Sequence, residues 1–272
     1  MTCHAALRPS NFTIPSSIRN EPGAIIGREV PVIEFLGIGV PDERGGWLLH
    51  RVCARFERNE LVAVVAARRD TGQAFLDAFG GRRIPIEGRV WADRIPLMRE
   101  TASRVRGLVT DAGPDAPFTE YRSVLWNTLV TPRAALTGLL RFPRRAQRVA
   151  AIRALAAVQL EARWRDPVGL LTSLERARLA VARALARRPR ALVLRDVDRT
   201  LGLEDGATLL RLVRNLAHIE HVAAVASVAS ASLAHLCADR VIVLAEGLLV
   251  FDGPAAEFND AVANRRLRGV VG

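Results

Sequence analysis

Residues 61–66 read Leu-Val-Ala-Val-Val-Ala, an apolar run without a polar member. A strand with one wet face alternates apolar and polar side chains. A run with no polar member needs apolar cover on both faces, as in the interior of a parallel sheet. After the polar stretch Ala67-Arg68-Arg69-Asp70, residues Thr71 to Phe79 have helical character, with Gly80-Gly81 as the stop. The same order recurs towards the C-terminus: the strand Ala191 to Leu194 (ALVL), the helix Gly206 to Leu216, then Val222 to Ala226, Leu233 to Ala238 and Val241 to Leu244. Gly247 to Phe251 folds back as a hairpin through Ala245-Glu246. Apolar strands alternating with helices predict an α/β fold whose mostly parallel sheet is covered on both faces.

Residues 1–28 carry Pro9, Pro15 and Pro22 without periodicity and are expected to form a loosely ordered extension. Val30 to Phe35 is a short β-branched run, and Gly37 to Gly46 is rich in turn residues. Gly37 to Asp42 (GIGVPD) is an incomplete glycine pattern and reads as a turn. From about 111 to 170 the chain is expected to be mostly helical. Val149, Ile152, Leu155 and Gln159 there form a stripe expected to face a core.

The 272 residues include 39 Lys+Arg, and all of these are arginine, so any site that requires lysine has none to use. The net charge of +11 raises anionic partners. The arginines gather at 141–165 and 176–190 among Ala and Leu at helical spacing, which reads as solvated helix faces. Few aromatics lie between them, which disfavours a base-stacking nucleic-acid groove. Cys3, Cys53 and Cys237 have neither disulfide nor metal spacing. His218 and His221 lack a third ligand and read as surface residues, and His235 as an ordinary surface or packing residue. The N-terminus lacks a secretory pattern, and Val222 to Ala238 is too polar for a transmembrane helix. The expectation is a cytoplasmic chain without a membrane span of its own, peripheral on the inner face of the plasma membrane.

The stretches LVAVVA before the phosphate loop, GLLRFPRRAQRVAAIRALAAV at 138–158, LAVARALARRPRA at 179–191 and ADRVIVLAEGLLVFDGPAAEF at 238–258 resemble ATP-binding-cassette domains. The likeness is greatest to ATP-binding subunits of phosphonate-type importers and spans about 30–260. It implies a P-loop-type α/β core with an antiparallel β portion and a helical subdomain at about 111–170. The cassette would occupy 29–260, followed by a tail at 261–272.

The resemblance also implies a nucleotide site, and there this sequence departs from the pattern. The family's phosphate loop, Gly-x-x-x-x-Gly-Lys-Ser/Thr, wraps phosphate with backbone amides, neutralises it with Lys and binds Mg²⁺ through a hydroxyl. Here the aligned residues run from Ala66 through Arg68, Arg69, Asp70, Thr71, Gly72 and Gln73 to Ala74. Gly72 stands for the Lys and Gln73 for the hydroxyl; a one-residue shift puts Gln73 and Ala74 there. Asp70 would face phosphate with a negative charge. Arg68 and Arg69 leave open a magnesium-free anion contact, against the alternative of exposed loop cations. Asp196 matches the metal-binding Asp, whereas Val197 replaces the Glu that polarises water and cannot accept a proton. The signature loop becomes Leu171-Thr172-Ser173-Leu174-Glu175, with side chains where glycine backbone should approach phosphate. The switch histidine falls on Ala229, and the glutamine facing the membrane partner falls near Asp111. No aromatic around Gly37 to Pro41 matches the residue that stacks adenine.

No catalytic residue, metal or cofactor is therefore expected, and ATP with Mg²⁺ is disfavoured. The leading expectation is a catalytically silent cassette with a structural or regulatory role. Its partner would be a membrane permease, a second cassette or another membrane-associated assembly, met through the middle helices and residues 111–132. Two alternatives stand beside it. One is a working importer subunit completed by a competent partner cassette; the other is an arginine-rich module for anions or nucleic acid.

Overall fold

The computed structural model describes residues 31–130 and 145–258. The expected extension, the C-terminal tail and the middle of the proposed helical subdomain lie outside them. The elements run β1 (Ile33–Pro41), β2 (Trp47–Phe56), β3 (Glu60–Ala66), α1 (Arg69–Phe79), β4 (Glu87–Ala92), β5 (Ile95–Pro96), α2 (Ala102–Leu108) and β6 (Val109–Asp111). They continue with α3 (Val124–Leu129), α4 (Arg145–Ala157), α5 (Ser173–Leu185), β7 (Ala191–Leu194), α6 (Val197–Glu220), β8 (Ala223–Val228), α7 (Ala231–Cys237), β9 (Arg240–Ala245) and β10 (Leu248–Pro254).

Two sheets form. One has the order β10-β9-β3-β8-β7-β6, and the other is a four-stranded antiparallel sheet, β2-β1-β4-β5. In the larger sheet β3 pairs in parallel with both β8 and β9, and only β10 runs antiparallel. The apolar run at 61–66 explains this placement. Leu61, Ala63 and Val65 point into one core with α4 to α7, while Val62 and Val64 point into the other with α1, α2 and the antiparallel sheet. The same division holds in β7, where Leu192 and Leu194 face one core and Ala191 and Val193 the other. A strand buried on both sides has no place for a polar residue, so the run is continuous.

The second core is organised by aromatic rings. Phe35, Phe56, Phe75 and Phe79 meet edge-on at centroid distances of 4.9–5.9 Å, clamping α1 onto the antiparallel sheet.

Three local expectations are corrected. Gly37 to Pro41 is strand, not turn, because Ile38 and Val40 bury completely at alternating positions. Gly88 on β4 permits it: with φ +72°, any Cβ there would lie 2.3 Å from the Gly37 carbonyl oxygen. The stretch 112–123 is irregular, and its first turn is tied down by the Gly113 amide donating to Asp111 Oδ1. Finally, the stripe on α4 does not face inward as a whole. Leu155 is buried with Ala151 and Ala154, but Val149 is 42 % and Ile152 50 % exposed. The small side chains make the inner face, because α4 lies close against α5 and α3.

Candidate functional site

The phosphate-loop position lies between β3 and α1, and its geometry follows from its composition. Ala66 to Thr71 contains no glycine, and Ala and Arg are good helix formers, so the helix starts early. Strand β3 ends at Ala66 and α1 begins at Arg69, leaving two residues between them. Thr71, Gly72 and Gln73 therefore sit inside the helix. Three backbone amides of this junction are engaged within the fold. Ala67 N–H donates to the Leu244 carbonyl (3.0 Å), Gly72 N–H to the Arg68 carbonyl (3.3 Å) and Thr71 N–H to Asp70 Oδ1 (2.9 Å). Thr71 is buried, and Gly72 lies close against β3: an added Cβ would lie 3.3 Å from that of Ala66.

The two arginines do not hang free as loop cations. The Arg69 guanidinium reaches Asp196 Oδ2 at 2.7–2.8 Å, and the Gln73 amide approaches the same oxygen at 3.4 Å. Arg68 bridges Asp42 Oδ2 (2.8 Å) and both oxygens of Asp70. Asp70 thus turns to Arg68 rather than into the cleft. The Arg68 guanidinium holds the Asp70 carboxyl below its ordinary range. The Arg44 amide, with Arg68, does the same for Asp42. These residues, with Arg44, Gly45 and Gln73, line an open depression of about 550 Å³.

At the end of β7, Asp196 adopts a left-handed conformation (φ 46°, ψ 46°) and its amide donates to Ser227 Oγ at 2.8 Å. The turn sends the next side chain inward. Val197 is fully buried in the helix-side core. Asp198 turns back to the next loop and accepts from the amides of Ala229 (3.0 Å) and Ser230 (2.7 Å). The switch position at Ala229 is thereby held by its backbone, and Ser230 caps α7 through the Leu233 amide.

The signature position forms the start of α5. Thr172 and Glu175 make a reciprocal capping box. Glu175 N–H donates to Thr172 Oγ1 (3.2 Å), and Thr172 N–H donates to Glu175 Oε2 (2.8 Å). Arg163 adds a contact of 2.7 Å to Glu175 Oε1. Burial pushes the Glu175 carboxyl up, but the Thr172 hydrogen bonds and the Arg163 charge outweigh it and leave it below its usual range. Ser173 is exposed, while Leu174 packs on the core. The helix N-terminus, which attracts anions, carries the chain's own carboxylate.

The structure thus brings the phosphate-loop and strand-end positions into direct contact and leaves the signature position on a separate element. Sequence reasoning missed the ion network behind them. Arg195 contacts Asp77 (2.9 Å) and Asp111 (3.2 Å), and Arg82 also reaches Asp111 (2.9 Å). It also misplaced Arg183, which is buried rather than on a solvated face, with Nη1 donating to the Pro117 carbonyl at 2.7 Å. The histidines are as expected: His218 lies by Asp239, His221 by Asn59, and His235 bonds the Ala255 carbonyl. Among the described residues no cluster of His, Cys, Asp or Glu could hold a metal, and no helix is long and apolar enough to cross a membrane.

A parallel core with an added antiparallel sheet, a strand–helix junction against a strand-end Asp, and a capped helix in the signature position define one class. The chain belongs to the ATP-binding-cassette family of transporter subunits. It is 32% identical over 228 residues to the phosphonates import ATP-binding protein PhnC 2 of Rhodopseudomonas palustris, covering 78% of this chain and 76% of that protein. It is 30% identical over 219 residues to PhnC 1 of Natronomonas pharaonis, covering 79% and 89%. Among solved structures, cbiO1 from Clostridium perfringens, part of the cbiONQ transporter complex, superposes with a TM-score of 0.74 at 18% identity, over 88% of this chain and 95% of that one. A transporter cassette in its ADP conformation gives 0.75 at 14%, over 87% and 94%. At those identities the structures speak for the fold alone. No protein-family model matches the chain.

Proposed function

We propose that this chain is a cassette that no longer hydrolyses ATP and serves as a structural or regulatory subunit of a membrane-associated complex. The observation that carries the reading is the Arg69–Asp196 ion pair across a two-residue junction. A Mg²⁺-triphosphate needs amide donors, an ammonium or equivalent cation, and a free carboxylate in that place. Here the Ala67 and Gly72 amides bond within the fold, and the carboxylate already holds a guanidinium. Each charge-assisted contact forgone removes roughly 1.5–3 kcal/mol of binding. Val197, buried where the family has its water-polarising Glu, leaves no general base at that position. The residues present do not fit Mg²⁺-ATP, and no hydrolytic step is assigned to them.

The intact framework is what association would need. The two named relatives are described as phosphonate importers' ATP-binding proteins, so a permease or a second cassette of an importer is the first partner to seek. The middle helices are the proposed contact surface; Val149 and Ile152, exposed on α4, supply apolar area there.

Calorimetry with ATP and with a non-hydrolysable analogue, each with and without Mg²⁺, tests the reading together with a turnover assay. The expected result is no Mg²⁺-dependent affinity in the micromolar range and no turnover. Micromolar Mg²⁺-dependent binding, or hydrolysis abolished by Asp196→Ala, would overturn it and favour a working importer subunit.

A further inference from the structure

Away from the β3–α1 junction, beyond the edge strand β6, lies a second and larger cavity of about 940 Å³. It is framed by the end of α1, the end of α2, β6 and the C-terminal end of α5. Its charged lining consists of Arg82, Arg106, Arg183, Arg187, Arg195 and Asp111. Asp77 contacts Arg195 as well, so five guanidiniums face two carboxylates and positive charge is in excess by three. Both carboxylates serve Arg82 and Arg195. Among the described residues Arg106 and Arg187 have no carboxylate partner, and Arg183 has the Pro117 carbonyl and the Phe118 ring, 4.4 Å from its guanidinium carbon.

Ordinary folding does not favour this arrangement. Arg183 lies in the last turn of α5 and Arg187 in the turn that follows it, and the two like charges repel. The carbonyl end of α5 offsets some of that repulsion, and the buried Arg183 is held by the Pro117 carbonyl and the Phe118 ring, neither of which neutralises its charge. Burial, then the neighbouring Arg187 charge, push the Arg183 guanidinium down to about 10. Arginine forks match the oxygens of phosphate-type groups two at a time, and a group carrying several such charges would balance the excess.

We infer that this cavity is a binding site for a compact, multiply charged phosphate-type anion, separate from the nucleotide position. Arg106 and Arg187 hold it at the mouth and Arg183 at the wall. The site does not depend on whether the chain hydrolyses ATP.

The test is calorimetry of the full chain with tripolyphosphate, without Mg²⁺, at two salt concentrations. Wild type is compared with the exposed-residue variants Arg106→Ala and Arg187→Ala, with their double variant, and with Arg69→Ala. Arg153→Ala, which removes an exposed charge from α4, controls for the overall positive field. Each mouth variant should weaken binding roughly tenfold, and the double variant about a hundredfold, while Arg153→Ala stays within twofold. Circular dichroism establishes that the variants are folded. Equal weakening by Arg153→Ala would overturn the site in favour of diffuse attraction. Loss in Arg69→Ala with full affinity in the double variant would move the anion to the junction. A Glu-rich peptide that binds more tightly than tripolyphosphate and loses affinity in the double variant would assign the cavity to a protein segment and overturn the proposal.

Discussion

Placing glutamate at Val197, the position that the family resemblance assigns to a water-polarising Glu, tests whether burial of the site would by itself exclude a general base there. Val197 is 0% exposed and packs with the helix-side core, where a Cβ added at Gly206 would lie 3.7 Å from its Cγ1. Removing the valine forfeits roughly 1.5–3 kcal/mol of apolar burial. A carboxyl forced into that space without a partner must stay protonated. If its pKa rises from about 4.3 to 7 or above, the cost at neutral pH is roughly 4 kcal/mol. Val197→Glu should therefore lose about 5 kcal/mol or more, a large part of a typical domain's stability, and melt roughly 10–20 °C lower.

The pH dependence gives the sharper reading. A carboxyl whose folded pKa exceeds its unfolded value binds more protons in the native state, so stability falls as pH rises between the two values, by up to about 1.4 kcal/mol per pH unit. Urea unfolding at pH 5 and pH 8 should show the Val197→Glu deficit growing, relative to wild type, towards pH 8. The non-titrating Val197→Gln should show a deficit that hardly changes. Parallel behaviour of the two variants, or a Val197→Glu protein that melts within a few degrees of wild type and hydrolyses ATP, would show that the position opens to the cleft. The burial reasoning would then be wrong.

Two further outcomes concern the helices. Thr172→Ala should cost about 1 kcal/mol through loss of the capping box, read by denaturant midpoint. Glu175 has a depressed folded pKa, so its contribution is present above the unfolded carboxyl value and fades as pH falls through the folded one. Glu175→Ala should accordingly converge on wild type in acid. On α4, Leu155→Ala should destabilise by roughly 2–5 kcal/mol. Ile152→Ser should stay within about 0.5 kcal/mol in the isolated chain, and loss of co-purifying partner without loss of stability would mark Ile152 as interface.

Much of the architecture was legible before any coordinates. The unbroken apolar runs at 61–66 and 191–194 read as strands covered on both faces, as the structure has them, and the absence of lysine is plain from the sequence alone. Residue type and spacing carry that information because burial and charge are properties of the side chain itself. Direction is not. Of the stripe read from Val149 to Gln159, Leu155 stayed inside while Val149 and Ile152 turned outward, because close packing against the neighbouring helices selected Ala151 and Ala154 for the inner face. The inward turn of Val197, the reach of Arg69 to Asp196 across 127 positions, and the convergence of Arg82 after α1, Arg106 of α2, Arg183 of α5 and Arg195 after β7 on one cavity all depend on how the strands are ordered. Such contacts join parts of the chain that no local pattern relates, so only the folded arrangement could decide them.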